Sequence, residues 1–324
     1  MMLSHSAFAY IAAAALALYS GLTVAQYPGK PVRMIVTTGT GSSPDILGRI
    51  VASRLSELWG QPVLVENIPG SGGNIGAERA AKSAPDGYSI LLASFGPLYV
   101  NKTLYTRLGY DIERDFEPIM QISRQANILV VHPSVPARTV DELVTYGRAN
   151  PGKLRFGSGG SGTSMHICAE LFKNGAGIDA AHVPYKSSAQ MMTELVAGQF
   201  EFAFHNAPVV LPQIRAGRLR ALAVTSQARV PYAPELPTMA EAGFPEVMYD
   251  GGAGLVTPKG TPIAIVQKIY QDAARVLSTP AVRDLFAANG ADPVGSTPAE
   301  FAMRIKSEIA RWAPVIRASG AKLD

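Results

Sequence analysis

The sequence predicts an α/β fold arranged as two layered units. Three observations carry this reading. Short β-branched runs alternate with amphipathic stretches over residues 26–324, the pattern of strands covered by helices. Two strand ends, far apart in the chain, each run into a Gly/Ser/Thr loop that opens a helix: VTTGTGSSPD (36–45) and GSGGSGTSMH (157–166). The length, 324 residues, favours two domains over one.

The N-terminus is set apart first. Residues 7–19, AFAYIAAAALALY, form an unbroken apolar run, and GLTVA follows with small residues at Thr23 and Ala25. This predicts a secretory signal over 1–25, cut ahead of Gln26, because a membrane span needs about 20 apolar residues. MMLSHS carries no Lys or Arg, so an uncleaved anchor is the alternative.

From there VRMIV (32–36) reads as a strand buried on both faces. Ser42 or Ser43 caps the helix after it, Pro44 suits its first turn, and Ile46, Leu47, Ile50, Val51, Leu55 and Leu58 keep helical spacing. Gly60 and Pro62 end that helix. VLVEN (63–67) is a strand, PGSGG (69–73) a turn, 74–83 a helix and SILLA (89–93) a third strand. The chain passes into a second unit near ISRQANILVVHPS (122–134). There Thr139 and Glu142 form a capping box, and LRFGS (154–158), HVPY (182–185), FEFAF (200–204) and LRALAVTS (219–226) supply strands. Helices run from the 157–166 loop to about Asn174 and over 188–197. A short capped helix is expected at Thr238–Glu241. GGAGLVTP (251–258) reads as a strand returning to the first unit, and three helical stretches finish the chain, the last opened by Thr297-Pro298-Ala299-Glu300. The expected domains are 26–124 plus 249–324, and 125–248.

Composition narrows the function. Twenty-nine Lys and Arg against 25 Asp and Glu give +4, with no basic cluster or interleaved aromatics, so no nucleic-acid binding is expected. A weakly positive protein suits a small anion. Cys168 stands alone among apolar residues, which gives neither a disulfide nor a thiolate metal site. The five histidines form no HxxH or HxxxH pair, and no metal is expected.

Three uses of the 36–45 loop compete. GTGSSP (39–44) approaches a dinucleotide fingerprint, with Glu66 where a ribose-binding acid would stand, but Pro44 replaces its third glycine and no GxxxxGK[ST] exists. No GxSxG elbow occurs; GGSGT (159–163) ends in Thr, and His166 and His205 have no serine partner at an elbow. Anion holding is left: helix N-termini offer unpaired N–H groups and partial positive charge, glycines admit close approach, and hydroxyls donate or hold water. Loops that merely cap their helices are the competing structural reading, weakened by the loop's occurring twice.

At this point the chain resembles the periplasmic substrate-binding proteins of the tripartite tricarboxylate transporter type, often called the Bordetella uptake gene family. The likeness runs through YPGKPVRMIV (27–36), SPDILGRIVASRLSELWGQPVLVEN (43–67), PGSGGNIGAERAAKSAPDGYSILLAS (69–94), GSGGSGTSMHICAELF (157–172), HVPYKSSAQMMTELVAGQFEFAF (182–204), LRALAVTS (219–226), LPTMAEAGFPE (236–246) and STPAEFAMRIKSEIARW (296–312). The resemblance implies a two-domain periplasmic binding protein of type II, a Venus flytrap with its ligand cleft between the domains. It implies a solute-binding protein rather than an enzyme, a monomer without cofactor. Such a protein captures a small mono- or dicarboxylate and delivers it to the permease subunits of a tripartite tricarboxylate-type transporter. By position it nominates Thr38, Gly39, Gly41, Ser42 and Asp45 from the first loop, and Ser94 after the third strand. From the second unit it nominates Ser158, Gly160, Gly162, Thr163, His166, Ser187 and His205. Asp45 and His166 either touch ligand or pin their own loops.

The departures from the family pattern concern the ligand. Thr37, Thr38 and Gly39 stand where a Pro-aromatic-Pro run is usual, which predicts a more polar or roomier pocket. Ser187 replaces a common glycine, and His205 a frequent Asp; a histidine there either pairs with a second anionic group or is structural. An exported hydrolase or cofactor enzyme using the same cleft, and a sensor component for a membrane receptor, are the alternatives. Trp59 and Trp312, both on expected helices, promise a poor fluorescence signal of closure.

Overall fold

The computed structural model describes residues 27–318; the expected signal at 1–25 lies outside them. The first sheet has the order β2-β1-β3-β11-β4: β1 (Val32–Val36), β2 (Val63–Asn67), β3 (Ser89–Ala93), β4 (Phe116–Gln121) and β11 (Gly254–Pro258). β1 runs parallel to β2 and β3, whereas β11 runs antiparallel to β3 and β4. The second sheet follows β10-β5-β8-β6-β7, with β9 and β12 also on β5. Its strands are β5 (Ser123–Val131), β6 (Leu154–Ser158), β7 (Ala180–Pro184), β8 (Phe202–Asn206), β9 (Arg220–Val224), β10 (Asp250–Gly251) and β12 (Asp292–Pro293).

Helix α1 (Ser43–Trp59) lies on the first sheet because Leu47, Val51 and Leu55 recur every fourth residue and are fully buried. They share a core with Val32, Met34, Val36, Ile90, Leu92 and Leu255, joined by Val266 and Ile269 of a later helix. Gly48 brings the helix onto β3 so closely that a Cβ there would overlap Leu92. Gly60 ends α1 in the left-handed region at φ 63°. Helix α2 (Asn74–Ala81) follows the PGSGG turn. A π-helical turn at Gly96–Val100 leads into the short α3 (Asn101–Leu104). That turn and β4 had no signal in the periodicity.

In the second unit, α4 (Val140–Ala149) starts at Thr139, whose Oγ1 accepts from the Glu142 N–H at 3.1 Å. Helices α5 (Ser164–Ala176), α6 (Ser188–Val196) and α7 (Ala207–Arg215) follow β6, β7 and β8 respectively. Phe156, Phe172, Phe202 and Phe204 fill the core beneath α5, whereas Met191 and Leu195 of α6 and Val210 of α7 pack in a separate core with Ile128, Val130 and Phe200. The chain ends with α8 (Ile263–Ser278), α9 (Pro280–Ala288) and α10 (Pro298–Ala318). The box at Thr297 is formed: its N–H donates to Glu300 at 2.8 Å, and its Oγ1 accepts the Glu300 N–H at 3.2 Å.

Two expectations change. The box at Thr238 and Glu241 makes both of its bonds, at 2.7 and 3.0 Å, but no helix follows it. Gly243 takes φ 92° and the Phe244 N–H returns to Met239 O, closing the turn. The expected strand 251–258 is divided. Asp250–Gly251 pairs with β5 in the second sheet, and Gly254–Pro258 pairs in the first. Gly252 and Ala253 make the crossing beside Ser123, where a Cβ on Gly252 would overlap the Ser123 carbonyl. The Ser123 hydroxyl accepts the Ala253 N–H at 3.0 Å, tying the two crossing strands together.

Candidate functional site

The carboxyl ends of β1 and β3 face those of β6, β7 and β8 across a cavity of about 340 Å³, near the lower end of the usual range for ligand pockets. Ligands of open α/β sheets bind at such strand ends. The helices begin there too. Ser42, Gly73, Thr163, Ser187 and Asn206, which precede α1, α2, α5, α6 and α7, all line the cavity. Each helix start carries roughly half a positive charge on N–H groups without intrahelical acceptors. Among the described residues no Asp or Glu lines this space, and Lys186 is the one charged side chain that does. The remaining wall is glycine, hydroxyl and amide with Pro44 and Pro69, and Phe95, Met165, Tyr185 and Tyr249 are its larger apolar surfaces.

Of the residues nominated from sequence, Thr38, Gly39, Ser42, Ser94, Gly160, Thr163 and Ser187 line the cavity. Thr38 and Ser42 share a hydroxyl hydrogen bond of 2.6 Å, and Ser94 is held by Thr37 through bonds of 2.9 and 3.1 Å. Gly41, Asp45, Ser158, Gly162, His166 and His205 stand behind the wall. Asp45 fastens its own loop, accepting from Gly41 N–H at 2.8 Å, Asn67 Nδ2 at 2.9 Å and Arg49 Nε at 2.9 Å. Burial alone would raise its pKa; the bonds from Arg49, Gly41 and Asn67 outweigh that and hold it below its ordinary value.

The second loop is fastened differently. The His166 ring accepts the Gly162 N–H at 3.3 Å and stacks on His182 with centroids 4.3 Å apart. His182 in turn stacks on Phe156 at 5.0 Å and meets the Ser158 hydroxyl at 2.7 Å. Burial, then the neighbouring His166 and Lys173, push the His182 pKa down to about 3. His205, fully buried on β8, pairs with the Ser188 hydroxyl at 2.9 Å, and burial lowers its pKa to about 4. Both rings are therefore neutral at pH 7 and carry no charge towards the cavity.

Sequence reasoning missed Lys186, Tyr185, Gln125, Ser188 and Asn206. The first two belong to the quoted HVPYKSS run, so a signal was present. Gln125 and Asn206 had none: they reach the cavity only through the pairing of Gln125 with Gly251 and of Asn127 with Asn206. Phe95 on the cavity wall meets Trp312 edge-on at 5.1 Å, so Trp312 packs directly behind a wall residue.

The two cross-linked sheets and the cleft between their strand ends define a two-domain periplasmic binding protein of type II. The profile of the tripartite tricarboxylate transporter family receptor matches residues 47–321. The chain is 38% identical to Protein BugT of Bordetella pertussis, over 92% of this chain and 91% of that one. Among solved structures, R. palustris Rpa4515 with adipate superposes with a TM-score of 0.89 at 36% identity, covering 92% of this chain and all (100%) of that one. Periplasmic binding protein BugD superposes with a TM-score of 0.88 at 30% identity, covering 91% of this chain and 99% of that one. The protein belongs to the tripartite tricarboxylate transporter receptor family, the Bug proteins. No described helix is long and apolar enough to cross a membrane.

Proposed function

We propose that this protein is an exported periplasmic receptor that captures a small carboxylate in the cavity and delivers it to a tripartite tricarboxylate-type permease. The observation that carries the reading is the convergence of five helix starts on a cavity that no acidic side chain lines. That field favours an anion without a buried cation of its own. The adipate held by Rpa4515 is an anion of this kind. In this reading the chain folds as domains 26–124 plus 249–324, and 125–248, which close on the ligand.

Thr38, Gly39, Ser42, Ser94, Gly160, Thr163 and Ser187 are the proposed contacts, and Gly41, Asp45, Ser158, Gly162, His166 and His205 keep those contacts in place. Micromolar affinity needs about 8 kcal/mol, and charge-assisted hydrogen bonds contribute about 1.5–3 kcal/mol each, so a few donors suffice once closure excludes water. The histidines argue for capture without turnover. Ser158, which meets His182, is itself fully buried, and His205 at a pKa of about 4 is a weak base at pH 7.

The test is native mass spectrometry of freshly purified protein, followed by calorimetry with a panel of mono- and dicarboxylates. One-to-one binding with the acid recovered unchanged is the expected result. Steady conversion of the acid, or no binding across the panel, would overturn the proposal.

A further inference from the structure

Lys186 occupies an unusual place. It lies in the turn between the end of β7 and Ser187, the residue that caps α6, so its backbone adjoins the positive end of a helix, where an anion is favoured and a cation is not. It is exposed, it lines the cavity, and no hydrogen bond or ion pair to it exists among the described residues. Two other cations of the same unit are compensated: Arg155 by Glu201 at 3.1 Å and Lys173 by Glu170 at 2.7 Å. The turn also seats against the first unit, since a Cβ on Gly39 would lie 3.2 Å from Ser187 Cβ. An exposed, uncompensated cation thus lines the same cavity as the hydroxyls and helix starts of the 36–45 and 157–166 loops.

We propose that Lys186 is the counter-charge for a second anionic group on the ligand, and that it makes the protein select diacids over monoacids. The inference rests on the carboxylate reading above and deepens it: one carboxylate is taken by neutral N–H and hydroxyl donors, the other by the lysine. A flexible stem with a compact terminal charge suits acids of more than one chain length.

The experiment is calorimetry at fixed low ionic strength with matched pairs, glutarate against pentanoate and adipate against hexanoate. It compares the native protein with Lys186→Met and Lys186→Arg. The native protein should bind each diacid about tenfold more tightly than its monoacid. Lys186→Met should bring that ratio close to one and leave monoacid affinity within about twofold, and Lys186→Arg should restore the preference. A Lys186→Met variant that keeps the ratio, or that weakens both acids equally, overturns the assignment. Equal affinity of the native protein for both members of a pair overturns it too, and leaves the carboxylate reading standing. Failure of all four acids to bind the native protein overturns the carboxylate reading itself.

Discussion

The loop after β1 and the loop after β6 present the same kind of surface to the cavity, yet different chemistry holds each in shape. In the first, a carboxylate does it: Asp45 gathers Gly41, Asn67 and Arg49, and its charge is neutralised behind the wall. In the second, neutral rings do it: His166 and His182 stack between Phe156 and the loop, and bond to Gly162 and Ser158. A site for an anion cannot carry a free carboxylate at its wall. The two loops meet that constraint in two ways, by pairing the acid away from the cavity or by using groups that carry no charge. The fastenings therefore respond differently to substitution and to pH.

The largest effect should come from forcing the two units apart. Gly72 of the first unit has φ 62°, and a Cβ there would lie 2.6 Å from the Ser161 carbonyl of the second loop and 3.1 Å from the Tyr105 hydroxyl. Gly72→Ala should weaken ligand binding by about 30-fold, since overpacking of this kind costs roughly 2 kcal/mol and the approach of the units is where it is felt. If Trp312, which packs on Phe95 of the cavity wall, responds to ligand, its emission should change less in the variant. Unaltered affinity would mean that this contact plays no part in holding ligand.

Next in size is the charged fastening. Asp45→Ala removes three bonds to a buried carboxylate and should cost about 2 kcal/mol of stability in a denaturant titration. With its pKa held below the ordinary value, Asp45 stabilises the fold above about pH 4 and loses that contribution only as pH falls through the lower folded value. A stability equal to the native protein's would show that Arg49 and Asn67 hold the loop without it.

The neutral fastening should fail at milder acidity. Because the pKa of His182 lies at about 3 and that of His205 at about 4 in the folded protein, the unfolded chain takes up the protons first as pH drops below about 6.5. Each ring should then cost about 1.4 kcal/mol of stability per pH unit until its folded value is reached. Melting temperature should accordingly fall between pH 6.5 and 5, a range in which Asp45 stays ionised. His182→Phe, which keeps the stacking, should flatten that slope whatever it does to absolute stability. A native profile flat across this range would break the contrast between the loops.

How much of this was legible follows from where the signals lie. Local chemistry placed β1, β3, β6 and the first-turn residues of α1 and α5, because each is bounded by glycines, a proline or a capping hydroxyl within a few residues. The two Gly/Ser/Thr loops stood out for the same reason. What escaped depends on pairing between distant segments. β4 carries Pro118 and Glu117 and becomes a strand by pairing with β11. Gln125 reaches the cavity from a strand that crosses between the units. His182 gave no signal at all, because its role is to stack on a histidine 16 residues away in the chain.

The smallest effects separate wall from support. Thr38 lines the cavity, and among the described residues its Oγ1 bonds only to Ser42. Thr38→Ala should therefore weaken ligand binding by a few-fold, about 0.5–1 kcal/mol, and leave the melting temperature within about a degree. Ser158 is fully buried behind the wall, and its hydroxyl meets His182 Nε2 and accepts the Gly160 N–H. Ser158→Ala leaves that ring nitrogen without its partner, so its first effect should be on melting temperature, with affinity following only as the 157–166 loop loosens. Thermal melts and calorimetry on the two variants decide the matter. If Ser158→Ala weakened binding more than Thr38→Ala while melting as the native protein does, Ser158 would belong to the binding surface and the wall drawn here would be misplaced.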